Sequence, residues 1–257
     1  MSRHTFRAIA VSVSLLLGVA LWGFPSYAAS VRDFNQTYPL QAGGTFELQN
    51  VNGTVDIQGW DRNEVQVRAV KTAKDQASDL DRVSIDVDAR PDAVSVSTRY
   101  PQNEGVEVAV AYTIRVPHGA RLEHIGTVNG TLRVSGIENL EDLHTVNGDI
   151  EVFEAGGSVR ARTTNGDVHL ELAHVPDKLG ATAETTNGSL VVALPSDLQA
   201  EIEARCLNGR FYSELPITME GTERPREMHG KLGRGGPTIH LRTVNGGIRL
   251  MVLRSSV

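Results

Sequence analysis

The chain has one cysteine, Cys206, in 257 residues, so no internal disulfide can brace it. Aromatic residues make up only 5% of it, which disfavours base stacking and leaves no obvious sugar-stacking cleft. Basic residues are outnumbered, 25 Lys and Arg against 31 Asp and Glu, for a net charge of −6. That acidic excess argues against sequence-independent binding to nucleic acid, and no nucleic-acid partner is expected. The chemical signatures of common enzymes are absent as well. No G-x-S-x-G elbow occurs, and Gly233-Arg234-Gly235-Gly236 lacks the Lys-Ser/Thr ending and the strand-to-helix setting of a phosphate loop. The histidines His118, His124, His144, His169, His174, His229 and His240 include no pair at helical ligand spacing. No catalytic residue, metal site or cofactor is therefore expected.

The one long apolar run lies at the start. Arg3 and Arg7 precede an apolar stretch over 8–22, Pro25 breaks it, and Ser26-Tyr27-Ala28 follows. This is the order of an export signal cleaved after Ala28, leaving a periplasmic or secreted protein. The alternative is an uncleaved membrane anchor through residues 8–24, since the run is long for a signal and slightly short for a span. No cysteine lies near the cleavage point to carry a lipid.

What the chain does have is repetition. An Asn-Gly pair occurs seven times: Asn52-Gly53, Asn129-Gly130, Asn147-Gly148, Asn165-Gly166, Asn187-Gly188, Asn208-Gly209 and Asn245-Gly246. The separations are 77, 18, 18, 22, 21 and 37 residues, and the tight central run is the period of one supersecondary unit. Asn and Gly tolerate positive φ, so each pair suits a sharp corner between extended segments.

Aligned on the Asn, the copies separate into inward and outward columns. Four residues before it stand Leu48, Ile125, Leu143, Ala161, Ala183, Ala204 and Leu241. Three after it stand Val55, Leu132, Ile150, Val168, Leu190, Phe211 and Ile248. Five after it stand Ile57, Val134, Val152, Leu170, Val192, Ser213 and Leu250. Polar columns alternate with these, the period-2 pattern of strands with one buried face. Two before the Asn the column is Asn50, Thr127, Thr145, Thr163, Thr185, Cys206 and Thr243, so Cys206 fills a threonine slot and reads as a small buried residue. In stacked coils the outward Arg162, Glu184 and Arg205 become lateral neighbours of alternating charge.

Recurrence in register favours a single-stranded β-solenoid over residues 120–257, and stacked asparagines can bond along their column. A meander of hairpins is the competing topology, because Asn-Gly is also a strong hairpin signal. Residues 29–119 read as a small irregular β-sheet or sandwich that caps the first coil, with one short helix over 75–82. Residues 214–237 read as a long irregular segment, either a solvated loop or a binding insertion. Asp149 and Asp167 follow successive Asn-Gly pairs and read as corner-stabilising residues rather than a carboxylate pair for glycan cleavage.

The run Val116-Pro117-His118-Gly119-Ala120-Arg121-Leu122, followed by T-V-N-G-T-L-R-V, T-V-N-G-D-I-E-V, T-T-N-G-D-V-H-L and T-T-N-G-S-L-V-V, resembles a bacterial family of exported β-strand-repeat proteins. The late K-L-G-R-G-G-P-T-I-H-L-R-T-V-N-G-G-I-R-L does so too. That family is described as candidate adhesins of unknown function. The resemblance implies an all-β, right-handed β-solenoid and supplies no catalytic residues. The expectation is a non-enzymatic cell-envelope protein, an adhesin or scaffold that binds an envelope protein, a glycan or a second copy of itself. The alternative is a carbohydrate-active solenoid that binds or cleaves polysaccharide.

Overall fold

In the computed structural model the alternating columns become the facing sides of two long sheets. The structure describes residues 30–254 apart from 75, 103–104, 176–179 and 220–225, so the expected signal segment and its cleavage point lie outside the described residues. The first strands are β1 (Ser30–Pro39), β2 (Thr45–Gln49), β3 (Val55–Trp60) and β4 (Glu64–Ala73). A single helical turn, α1 (Asp79–Arg82), precedes β5 (Ser84–Arg90), β6 (Ala93–Arg99) and β7 (Val108–Pro117). The central strands are β8 (Arg121–Gly126), β9 (Leu132–Ser135), β10 (Asn139–His144), β11 (Ile150–Ala155), β12 (Val159–Arg162), β13 (Val168–Leu172), β14 (Ala181–Asn187) and β15 (Leu190–Leu194). The last are β16 (Ala200–Asn208), β17 (Phe211–Ser213), β18 (Ile217–Met219), β19 (Glu227–Leu232), β20 (Thr238–Asn245) and β21 (Ile248–Val252).

The first sheet runs β1-β4-β7-β3-β9-β11-β13-β15-β21-β17, and the second runs β18-β19-β16-β20-β14-β12-β10-β8-β2-β6-β5. Each Asn-Gly pair lies between a strand of the second sheet and the next strand in the first, so one coil gives one strand to each. Within each sheet the strands of successive coils pair in parallel. Parallel stacking of this kind excludes the hairpin meander, whose neighbouring strands would be antiparallel.

Two coils depart from chain order. β6 and β7 pair in parallel with β2 and β3, forming a further coil before the first Asn-Gly coil. At the other end β20 and β21 pair with β14 and β15 on one side and with β16 and β17 on the other. The chain therefore leaves a vacancy when it builds β16 and fills it last. This corrects the expected neighbours: Arg242 stands between Glu184 and Arg205, which do not adjoin.

Antiparallel strands finish the stack. β5 closes the second sheet at one end, and β4 and β1 extend the first. At the far end the described residues of 214–237 are not wholly the irregular loop their composition suggested. β19 pairs antiparallel with β16 and β18 with β19, and the inward Met228, Gly230 and Leu232 explain why. Gly230 takes an inward slot, so the alternation is hidden in composition. Residues 220–225 of this segment lie outside the described residues.

One core fills the space between the sheets, from Leu40 and Phe46 through Leu170 to Leu250. Ala161, Thr163, Val168 and Leu170 are buried, while Arg162 is exposed and His169 and Glu184 are half-buried. At the first coil the buried polar groups form a closed chain. Tyr112 and Thr98 share a hydroxyl bond of 2.7 Å, Thr98 donates to Asn50 Oδ1 at 2.9 Å, and Asn50 Nδ2 donates to the Val110 carbonyl at 3.0 Å. Burial pushes the Tyr112 phenol up to about 12, so it stays a neutral donor. The short helix is anchored through Lys71 Nζ, which donates to the carbonyls of Leu80 at 2.7 Å and Val83 at 2.8 Å.

Candidate functional site

The seven asparagines are brought into one column. Asn129 Nδ2 donates to Asn52 Oδ1 at 2.7 Å, and the same bond repeats from Asn147 to Asn129, Asn165 to Asn147, and Asn187 to Asn165. It continues from Asn245 to Asn187 at 2.7 Å and ends with Asn208 donating to Asn245 at 2.8 Å. An amide offers a donor on one side and an acceptor on the other, so the column can extend without loss of pairing. Near its start the Tyr100 hydroxyl donates to the Val108 carbonyl at 3.0 Å. The partner glycines stand where neighbouring backbones nearly touch. A Cβ on Gly53 would lie 2.2 Å from the Val110 carbonyl oxygen, and one on Gly130 would lie 2.1 Å from that of Gly53. Gly148, Gly188, Gly209 and Gly246 are crowded in the same way, with carbonyl oxygens 1.9 to 2.1 Å from the Cβ position.

The threonine column braces these turns. Thr145, Thr163, Thr185 and Thr243 donate to the carbonyls of Gly130, Gly148, Gly166 and Gly188, at distances from 2.8 to 3.1 Å. Cys206 does the same with its thiol, 3.0 Å from the Gly246 carbonyl oxygen, and burial pushes that thiol up. Thiolate formation is thus disfavoured, and native Cys206 is expected to react slowly with a thiol reagent and quickly after denaturation. Rapid labelling of the folded protein would refute the placement. Asp149 and Asp167 also act at the turns: each accepts from the next coil's backbone, Asp149 from Asp167 N at 2.8 Å and Asp167 from Ser189 N at 2.7 Å.

These groups hold the scaffold together, and the surfaces that can meet a ligand are the outer faces of the sheets. On the first sheet Asp56, Arg133, Glu151, His169, Val191, Arg249 and Tyr212 form a row across adjacent strands. Arg133 pairs with Glu151 at 2.6 Å, and His169 lies 3.3 Å from Glu171. On the second sheet β8 and β10 each carry an extra residue, and Asp142 sits 3.5 Å from both His124 and His144. No cluster of three or more metal-ligating side chains suited to an ion occurs among the described residues.

Farther along the second sheet the outer face is hollowed into a shallow groove of about 660 Å³. Two side-chain rows line it. One is Arg162, Glu184, Arg242, Arg205 and Glu227; the other is Arg160, Thr182, His240, Glu203 and His229. Arg162 pairs with Glu184 at 2.9 Å, Arg205 with Glu227 at 3.6 Å, and His240 with Glu203 at 2.9 Å. Composition gave no hint of this groove, because it depends on which coils are neighbours.

The fold and its surfaces define an all-β repeat scaffold, in which a bonded polar column and an apolar core support two broad polar faces. A family model for Toastrack DUF4097 matches residues 39–251, and the chain belongs to that family. No curated protein matches it. Among solved structures, a candidate cell adhesion protein from Clostridium sporogenes aligns with a TM-score of 0.51 at 11% identity, covering 86% of this chain and 100% of that one. A candidate adhesin from Bacteroides fragilis aligns with a TM-score of 0.42 at 12% identity, covering 86% of this chain and 97% of the other. At such identities the likeness to the first is one of fold.

Proposed function

We propose that this chain is an exported, non-catalytic protein of the cell envelope, an adhesin or structural binding scaffold. Its right-handed coils turn at Asn-Gly corners and present the outer sheet faces to an envelope partner. The observation that carries this reading is how the charged side chains are used. On both outer faces they lie in lateral rows, several of them paired across strands, and the polar groups of the turns are engaged in stacking. Such a surface suits recognition over an extended area, and the likeness to a candidate cell adhesion protein agrees with it. Export is supported by the charged start, apolar run and small residues of 1–28.

The test is N-terminal sequencing of the native protein together with binding of the purified protein to envelope preparations. The expected result is a chain beginning at Ala29 in the periplasmic or secreted fraction, retained by envelopes and without turnover of glycans. An intact Met1 or Ser2 in the membrane fraction would replace export by anchoring through residues 8–24. Turnover of a glycan, lost on mutating residues of one face, would end the non-catalytic reading.

A further inference from the structure

The late insertion of β20 changes the charge pattern of the second sheet. Stacked in chain order, Glu184 would adjoin Arg205 and the row would alternate in sign. Instead Arg242 enters between them and stands directly opposite Arg205, its cross-strand neighbour. Like charges in that position are destabilising. The nearby carboxylates are already engaged, Glu184 by Arg162, Glu227 by Arg205 and Glu203 by His240. Arg242 and, in the next row, Arg160 are exposed and make no ion pair among the described residues. Each guanidinium carries five N–H donors in a fixed fork that fits a carboxylate.

We propose that this groove binds an acidic polysaccharide, whose carboxylates are held by Arg242 with Arg205 and by Arg160. The inference rests on the reading of the chain as a binding scaffold and names the ligand of one face. Three features select this ligand. The groove crosses five strands, roughly 19 Å at the usual strand spacing, and a second hollow of about 660 Å³ continues it, sharing Arg160, Thr182 and His240. An extended chain fits that shape better than a single small anion. Glu184, Glu203 and Thr182 lie among the arginines, where they accept hydrogen bonds from sugar hydroxyls. Those same glutamates, interleaved with the arginines, favour carboxylates spaced along a chain by neutral sugar hydroxyls over the denser charge of a membrane or nucleic acid. No Phe, Tyr or Trp among the described residues lines the groove, so charge rather than broad ring stacking must hold the sugar.

The test uses polygalacturonate oligomers, their methyl-esterified form and phosphatidylglycerol vesicles, titrated against the full mature protein. The acid form is expected to bind, more weakly as salt rises, and the ester and the vesicles are not. Arg242→Ala should weaken binding about ten-fold, from the loss of one charge-assisted contact, and Arg160→Ala with Arg242→Ala should abolish it. Arg133→Ala, on the opposite sheet, should leave binding unchanged. Arg242→Ala should fold with undiminished thermal stability, because it relieves a like-charge pair, so its binding loss cannot be assigned to unfolding. Equal binding of acid and ester, undiminished binding by the double variant, or a preference for vesicles would overturn the proposal. If the acid form does not bind, the ligand assignment falls. The scaffold reading survives that result where the protein still binds envelopes, and falls with it where envelope binding is also missing.

Discussion

Gly166→Val is expected to be among the most damaging single changes the repeat can suffer. The residue sits at φ 155° between β12 and β13, in backbone that side chains rarely adopt. Strain from the conformation alone costs about 1–2 kcal/mol. Crowding adds to it: a Cβ there would stand 2.0 Å from the Gly148 carbonyl oxygen and 2.9 Å from Asp149 Oδ1. Neither neighbour can retreat easily. Gly148 O already accepts from Thr163 at 2.9 Å, and Asp149 Oδ1 accepts from the Asp167 amide at 2.8 Å. To admit the new side chain, two coils must separate, which breaks the Asn147–Asn165 and Asn165–Asn187 bonds together. Two other glycines divide the contributions. Gly43 has φ 78° with nothing within 4 Å of its Cβ position, so Gly43→Ala reports conformational strain alone. Gly105 has open space and no such φ, so Gly105→Val should stay within about 0.5 kcal/mol. Urea unfolding of the three variants measures the series. A Gly166→Val protein as stable as Gly105→Val would mean the coils are not in contact at the turn.

The inside of each coil was legible in the sequence, and the order of the coils was not. Alternation exposes the buried columns because a strand with one buried face must place apolar residues two apart, as Val168 and Leu170 do. Which copy stacks on which is another matter. The T-V-N-G before β21 matches those before β9 and β11, so any of them can pair with any other. One clue was available. The copy at Asn208 is the most irregular, with Cys206 for threonine and Ser213 in an apolar column, and terminal repeats are commonly atypical. Ser213 lies in β17, which ends the first sheet, so its face has no further coil to pack against. The coil of β6 and β7 was hidden because it has no Asn-Gly pair. The groove at Arg242 was illegible for the same reason as the coil order. Arg162, Glu184 and Arg205 suggest a neutral alternating row until β20 is known to intervene.

Leu170→Ala is expected to cost about 2–5 kcal/mol, near the upper end of that range, whereas His169→Ala should cost roughly 0.5 or less. The two residues are adjacent in β13 and point to opposite faces. Leu170 is fully buried and lies in register between Val152 and Val192 of the flanking strands. Shortening it removes apolar contacts and leaves a cavity, and the penalty depends on how far the surroundings can collapse into it. Collapse is restricted here. Spacing along the stack is fixed by parallel backbone bonds and by the asparagine column, so β11 and β15 cannot close over the gap without breaking both. His169 lies on the outer face, 3.3 Å from Glu171 and with its ring 5.6 Å from that of Phe153. Contacts of that kind at a half-exposed surface contribute little. Thermal and urea denaturation of both variants gives the comparison. Equal losses would mean that the inward and outward columns are wrongly assigned, and a larger loss for His169→Ala would reverse the two faces of the sheet.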